Sequence, residues 1–313
     1  MADDLGTKLA ILEREAIIPE AKQPNSALPV LPMPEIYGAN CYSPKEIAEH
    51  VESVGVTKAN LPVLSMVALG VLAGGFIGLG AMYFTLVVSD ATLGFALSRV
   101  LGGVAFSLGL ILVVVAGAEL FTGNNLLVMA WVSRRISTAK LLQNLLVVFA
   151  ANLLGAAGLA VLIAWSGHLQ MSGGAVGRMA VTIAAAKCDL PFAEAFFKAV
   201  LCNVLVCLAV WIAMAGRSVA DKILAIVFPI SAFVAAGFEH SVANMYFIPL
   251  GLLVRDAAAF ADVPHLAALT WSGFLRNLLP VTLGNLAGGA GMVGLVYWII
   301  YRRSARGTTT DKG

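Results

Sequence analysis

Charge is the first thing that this sequence lacks: of its 313 residues only 12% are Asp, Glu, Lys or Arg, whereas 59% are hydrophobic. A soluble domain carries roughly a quarter charged residues. So little polar surface cannot cover a water-soluble globule, and long apolar stretches must therefore face lipid. The formal net charge is only +2 and no basic cluster is present, so nothing indicates a nucleic-acid partner.

Motifs for chemistry are also scarce. The four cysteines, Cys41, Cys188, Cys202 and Cys207, have neither metal-site spacing nor the pattern of a disulfide framework. Cys202 and Cys207 lie inside an apolar stretch, where cysteine usually serves as a small packing residue. No nucleophile with its base, phosphate loop or metal cage is recognisable. We therefore expect no enzyme, no metal and no cofactor. Because no nucleotide-binding motif is visible, transport would be passive or ion-coupled.

What the chain has instead is a series of long apolar stretches. A helix needs about 20 residues to cross the hydrocarbon core. Six stretches are candidates for crossings: 61–88, 100–118, 141–165, 196–215, 223–238 and 278–301. Two shorter stretches, 120–132 and 241–254, each follow a longer one across a polar interruption, and we interpret each as the second half of a broken helix. The sequence thus predicts an all-α integral membrane protein with six transmembrane helices, of which the second and fifth are broken.

The segments outside the crossings divide the chain into three parts. At 43–46 the order Ser-Pro-Lys-Glu is a capping-box start signal, and apolar residues then repeat at helical spacing. This pattern predicts an amphipathic helix over 43–57, lying along the membrane surface. We interpret 1–59 as a cytoplasmic tail containing that helix, 60–303 as a six-span channel domain, and 304–313 as a cytoplasmic C-terminal tail. Deletion of the N-terminal tail would test whether it gates a pore.

Lys and Arg in the short loops indicate the orientation of the chain. One side carries Arg134, Arg135, Lys140, Arg217, Lys222, Arg302, Arg303 and Arg306. The other side carries fewer, Arg99, Arg178, Lys187, Arg255 and Arg276, and they are spread over longer loops. Since the positively charged side of a membrane protein faces the cytoplasm, we expect both termini to be cytoplasmic.

An internal repeat supports this count of crossings. The sequence around the first break is GAELFTGN (117–124), and around the second it is GFEHSVAN (237–244). Glycine, glutamate and asparagine share the same offsets, 120 residues apart: Gly117, Glu119 and Asn124 match Gly237, Glu239 and Asn244. Because each half has three crossings, an odd number, the halves insert with opposite orientation. The result is a 3+3 inverted repeat whose conduction site lies where the broken helices meet.

Three ionisable residues fall in the middle of predicted crossings: Glu119, Glu239 and His240. Such groups cost several kcal/mol and usually face a cavity or a partner. The two glutamates occupy matching positions, and we interpret them mainly as structural acceptors for backbone freed at the breaks. His240 has no counterpart, since Leu120 takes its place in the first half. We interpret His240 as functional, because imidazole can bind an anion and titrate near neutral pH. The alternative is a core histidine bonded to the neighbouring loop.

Three further polar residues are candidates, and the first two have alternative interpretations. Thr122 offers a hydroxyl at the first break, or it simply caps the half-helix that follows. Lys187 either draws anions toward a pore mouth on the outer side, or it is a solvated loop lysine. Asn203 lies within the fourth crossing, where an interhelical hydrogen bond is the usual role.

Several segments together resemble the signatures of the formate/nitrite transporter family. They are 106–110, 117–124, 203–207, 216–218, 237–249 and 280–285. The resemblance runs from about residue 40 to 303. It implies an aquaporin-like homopentamer with one pore per subunit, in a prokaryotic cytoplasmic (inner) membrane, carrying small monovalent anions such as formate, nitrite, hydrosulfide or lactate. The segment after Lys187 departs from the pattern because it lacks the polar character common there.

The resemblance also implies roles for single residues. His240 would be the central pore histidine, with Thr122 opposite it. The polar surroundings that attract the anion and tune its affinity for a proton would be Lys187, Asn203, Glu239 and, in the sixth crossing, Asn285. The apolar constrictions would be Phe106, Leu110, Leu120 and Phe233.

The sequence therefore predicts a channel that passes weak-acid anions, formate first and also nitrite, together with a proton. Apolar rings are a poor path for a bare anion, because desolvating a charge is expensive. A nitrite- or hydrosulfide-selective member is an alternative. A neutral-solute channel of the aquaporin type would need paired Asn-Pro-Ala segments, which are absent from the sequence. A membrane-embedded enzyme should show more ionisable residues converging at one depth, and a structural subunit would not need matched broken helices.

Overall fold

The computed structural model describes residues 41–303, and almost all of them lie in helices. The predicted tails over 1–40 and 304–313 fall outside these described residues. In chain order the helices are α1 (Pro44–Ala59), α2 (Val63–Val88), α3 (Phe95–Ile111), α4 (Phe121–Asn124), α5 (Val128–Val132), α6 (Thr138–Trp165), α7 (Ala175–Cys188), α8 (Phe192–Ala213), α9 (Val219–Ala235), α10 (Ser241–Val254), α11 (Trp271–Leu286) and α12 (Val296–Tyr301). Helix α3 continues as a π turn over Leu112–Gly117, and α11 joins α12 through a second π segment, Ala287–Leu295.

Five helical stretches within residues 41–303 are long and apolar enough to cross a membrane. They are Val63–Val88, Phe95–Gly117, Thr138–Trp165, Phe192–Ala213 and Trp271–Tyr301. The remaining predicted crossing is divided between α9, with 17 residues, and α10, with 14. Neither helix alone is long enough for a full span, as expected for the two halves of a broken helix. The all-α membrane fold class is confirmed.

Most helices begin several residues before the apolar stretch that predicts them, because polar caps precede the apolar residues. Ser137, Ser218 and Thr270 each accept a backbone hydrogen bond at the start of α6, α9 and α11. Helix α1 begins at the capping box, with Ser43 and Glu46 bonding each other's backbone N–H.

The second halves of the two broken crossings differ. In the fifth crossing, α10 is one regular helix. In the second, the stretch after the break consists of α4, a 3₁₀ turn over Asn125–Leu127 and α5. The predicted single half-helix over 120–132 is therefore divided into three short pieces.

The helix order repeats, and each half begins with a short helix. Helix α1 precedes α2 to α6 in the first half, and α7 precedes α8 to α12 in the second. Within each half the first and third crossings pack together. Glycine permits this contact, since a Cβ on Gly155 would overlap the carbonyl oxygen of Val71, and one on Gly288 would overlap that of Val200. Gly155 and Gly288 are separated by the offset that separates Asn152 from Asn285.

Candidate functional site

The break in the fifth crossing is built around Glu239, a carboxylate that is only 3% exposed. Its Oε1 accepts a hydrogen bond from Lys187 Nζ at 2.7 Å, and its Oε2 accepts one from Asn244 Nδ2 at 2.6 Å. Asn277 positions these groups, because its amide oxygen accepts from Asn244 and its amide nitrogen donates to the carbonyl of Lys187. Burying a carboxylate requires such partners. Glu239 is thus neutralised by Lys187 and oriented by two asparagines.

The break in the second crossing repeats this network with different residues. Glu119, 4% exposed, lies 3.0 Å from Lys58 Nζ and accepts from Asn124 Nδ2 at 2.7 Å. Asn144 takes the part of Asn277, since it accepts from Asn124 and donates to the carbonyl of Lys58. The sequence predicts that the glutamates accept hydrogen bonds from freed backbone. In the structure they bind lysine and asparagine side chains instead.

Two other asparagines hold the backbone at the breaks. Asn285 accepts from the Ser241 N–H at 2.9 Å and donates to the carbonyls of Glu239 and Ala199. Asn152 accepts from the Phe121 N–H at 2.9 Å and donates to the carbonyls of Glu119 and Gly70. Both side chains are fully buried. They supply the hydrogen bonds that an interrupted helix loses.

A left-handed glycine turns the chain at each break. Gly117 has φ +85° and Gly237 has φ +73°, a region that other residues occupy only at a cost. This requirement explains why glycine recurs at the two positions in the repeat.

His240 and Thr122 meet between the two breaks. His240 Nε2 lies 3.0 Å from Thr122 Oγ1, and its Nδ1 accepts from the backbone N–H of Ala243 at 3.1 Å. A backbone N–H can only donate, so Nδ1 carries no proton and the proton of the neutral ring resides on Nε2. His240 then donates to Thr122. His240 is 2% exposed and Thr122 is fully buried.

Asn203 supports this pair from the fourth crossing. Its Nδ2 donates to the carbonyl oxygens of Thr122, at 3.3 Å, and of Asn285, at 2.7 Å. The thiol of Cys207 also contacts the Thr122 carbonyl, at 3.4 Å. Asn203 therefore makes the interhelical bonds expected of an asparagine in a span, and through them it fixes Thr122.

Apolar pairs line two cavities near the His240–Thr122 pair, which we name outer and inner after the predicted orientation of the chain. The outer cavity, about 220 Å³, is lined by Phe106 and Phe233, whose ring centroids are 5.6 Å apart, and also by His240. The inner cavity, about 660 Å³, is lined by Leu110 and Leu120. All four apolar side chains are at most 3% exposed. Each predicted constriction residue thus lines one of the two cavities.

Cations outnumber carboxylates around both cavities. Arg99, Lys187 and Lys198 line the outer cavity together with Glu239. The inner cavity is lined by Lys58, Lys222 and Glu119. This balance favours anions at both mouths. Within residues 41–303 no group of three or more His, Cys, Asp or Glu side chains could hold a metal ion.

Of the two interpretations of Lys187 the structure excludes one, and sequence reasoning missed four other site residues. Lys187 is in the last turn of α7, where its side chain is 14% exposed, and so it is not a solvated loop lysine. The missed residues are Lys58, Asn144, Asn152 and Asn277. The repeat contains a signal for the asparagines, since Asn144 and Asn277 are separated by the same 133 residues as Asn152 and Asn285.

Comparison with known proteins identifies the family. The profile of the formate/nitrite transporter family matches residues 45–299. This chain belongs to the formate/nitrite transporter family. Formate channel FocA of Escherichia coli strain K12 is 42% identical over 270 residues, which cover 83% of this chain and 94% of that protein. Transporter YrhG of Bacillus subtilis strain 168 is 42% identical over 267 residues, covering 84% and 95%.

Solved structures agree with this assignment. A pentameric formate channel with formate bound superimposes with a TM-score of 0.72 and 37% identity, over 76% of this chain and 97% of that one. An ion channel of the family superimposes with a TM-score of 0.71 and 31% identity, over 82% and 98%. The family resemblance and the fold class are thereby confirmed. The chain is an integral membrane protein of a family of channels and transporters, not of enzymes.

Proposed function

We propose that this member of the formate/nitrite transporter family is a channel that passes formate, and also nitrite, across a prokaryotic cytoplasmic membrane together with a proton. The observation that carries the proposal is the neutral His240–Thr122 pair, beside two cavities that are each lined by an apolar pair and by lysines. The cations raise the local concentration of the anion, and the apolar pairs exclude it unless its charge is neutralised.

The electrostatic argument concerns the constrictions. A charge in the membrane interior costs several kcal/mol or more. Phe106 and Phe233 offer no hydrogen bond that would offset this cost. Formate and nitrite are conjugate bases of weak acids, so adding one proton removes the charge. We therefore assign the crossing species as the neutral acid.

The hydrogen bonds of His240 support protonation of the anion in a cavity. Because Nδ1 accepts the Ala243 N–H, a second proton on the ring would place two N–H groups face to face. In this arrangement His240 serves as a hydrogen-bond donor and passes no proton. The anion would take its proton in one cavity and release it in the other.

Relatives support formate as the first substrate. Besides FocA, a probable formate transporter of Methanothermobacter thermautotrophicus is 38% identical, over 84% of this chain and 98% of that protein. Nitrite has the same charge and a similar size, and we expect it to compete. The pentameric formate channel supports a homopentamer with one pathway per subunit. The cytoplasmic placement of both termini follows from the distribution of Lys and Arg.

The test is a flux panel in proteoliposomes. Formate, nitrite, lactate and hydrosulfide would be compared at several pH values. The proposal expects formate and nitrite to enter fastest and every flux to rise as pH falls. Glycerol flux above that of protein-free liposomes, without anion flux, would instead indicate a neutral-solute channel and contradict the proposal.

A further inference from the structure

Arg99 joins the two broken crossings on the outer side. It belongs to α3, yet its Nη2 donates to the carbonyl oxygen of Val234 at 2.8 Å and its Nε donates to that of Ala235 at 3.1 Å. These carbonyls belong to the last turn of α9, which ends at Ala235. The final carbonyls of a helix lack helical partners and form its negative end, so a guanidinium stabilises them.

This guanidinium carries its charge without a carboxylate. Within residues 41–303, Arg99 makes no ion pair; its other neighbour is the ring of Phe84, at 5.7 Å. By contrast, the other two cations that line the outer cavity are paired, Lys187 with Glu239 and Lys198 with Glu194. Arg99 is half-buried, so its fixed position depends on the two carbonyls.

The same two helices form the outer constriction. Arg99 and Phe106 are seven residues apart in α3, which places them on one face of the helix. Phe106 contacts Phe233, and Phe233 directly precedes Val234 in α9. Helix α3 is therefore fastened to the end of α9 at two adjacent points, one formed by ring contact and one by hydrogen bonds. Loss of the hydrogen bonds would leave the ring contact as the contact nearest the end of α9, while the helices still pack further along, where Gly103 meets the Ser231 backbone and Ser107 the Val227 carbonyl.

Within residues 41–303 no arginine occupies the matching place at the inner break. A Cβ added at Gly237 would lie 3.1 Å from Arg99 Nη2, whereas one added at the matching Gly117 would meet no atom within 4 Å. Since the two glutamate networks are otherwise alike, the arginine is a specific feature of the outer side.

We propose that Arg99 is the positioning residue that sets the width of the outer constriction and thereby the largest acid that this pathway admits. The inference rests on the proposed function. It concerns acids with one carboxylate that differ in size, of which formate and lactate are convenient probes.

The experiment measures the ratio of lactate flux to formate flux in proteoliposomes for the wild type, Arg99→Met and Arg99→Lys. The ratio is used because loss of the positive charge from the outer cavity slows both anions by the same factor, which cancels in the ratio. Arg99→Met should raise the ratio about fivefold, the effect expected from losing one good hydrogen bond. Arg99→Lys keeps the charge but not the planar fork. Its half-saturation concentration for formate should stay at the wild-type value, while its ratio lies between those of wild type and Arg99→Met.

Arg178→Met is the matched control. Arg178 is also on the outer side, but it pairs with Asp262 and lines a different cavity, so its ratio should equal that of the wild type. An unchanged or lowered ratio in Arg99→Met, assembled to the wild-type size, would overturn the inference. If that variant fails to assemble, an unchanged ratio in Arg99→Lys would overturn it. A wild type that carries neither acid would instead overturn the proposed function.

Discussion

Removal of the Lys187 ammonium does more than delete one attractive charge. Lys187 Nζ lies 2.7 Å from Glu239 Oε1, and the two side chains are 14% and 4% exposed. Lys187→Gln therefore leaves a buried carboxylate without its cation, and the net charge of the pair changes from zero to −1. An arriving anion meets repulsion where the wild type offers an ammonium. The double variant Lys187→Gln/Glu239→Gln restores a neutral pair.

The size of this effect follows from Coulomb's law. Two unit charges about 4 Å apart interact by about 1 kcal/mol in water and about 4 kcal/mol at an effective dielectric constant of 20. The lower figure corresponds to about a fivefold change in anion occupancy. We expect Lys187→Gln to reduce the initial formate flux at least about fivefold when formate is well below saturation, and less when it is saturating.

The assay is radiolabelled formate uptake by proteoliposomes at low and high formate. The double variant should recover part of the low-concentration flux, because it lacks the unpaired carboxylate. Equal fluxes for Lys187→Gln and wild type at low formate would refute the attraction argument. A double variant slower than the single variant would refute the claim that the uncompensated Glu239 charge is the cause.

Three further predictions concern other parts of the molecule. His240→Asn should lower formate flux at every pH, because asparagine cannot donate to Thr122 while it caps α10, but the rise at acid pH should remain, since the anion takes its proton in a cavity; loss of that rise would contradict this. Asn285→Ala should lower the thermal stability of the purified protein by about 1–3 kcal/mol for each buried backbone group left unpaired. Asn152→Ala should match it, and a melting scan in detergent measures both. The hydrogen bond to Arg178 lowers the pKa of the exposed Asp262. Its contribution to stability is therefore fully present above the pKa of the unfolded chain and is lost as pH falls through the lower pKa of the folded protein. Asp262→Asn should therefore leave the flux profile between about pH 5 and 8 unchanged.

The sequence and the structure agree best where a pattern is local. The six apolar stretches, their two interruptions and the capping box at Ser43 all depend on neighbours in the chain, and the structure contains each of them. The positions of Gly117 and Gly237 follow from the backbone turn that each break requires.

Contacts between residues that are far apart in the sequence could not be predicted in the same way. Lys58 reaches Glu119 from a helix 61 residues away, and Asn144 reaches Asn124 from 20 residues away, and no local pattern connects them. Helix α7 was not predicted, because with 14 residues it is too short to cross the membrane and it includes Arg178 and Lys187. The pairing of His240 with Thr122 came from family resemblance, and its tautomer could come only from the contact with Ala243.

Simultaneous measurement of formate and proton uptake in proteoliposomes at a clamped membrane potential tests the account most directly. If the neutral acid crosses the constrictions, one proton enters with each formate, and the flux carries no current and does not respond to the imposed potential. Formate uptake that produces a current, without accompanying protons, would show that the anion crosses in its charged form and would contradict the account.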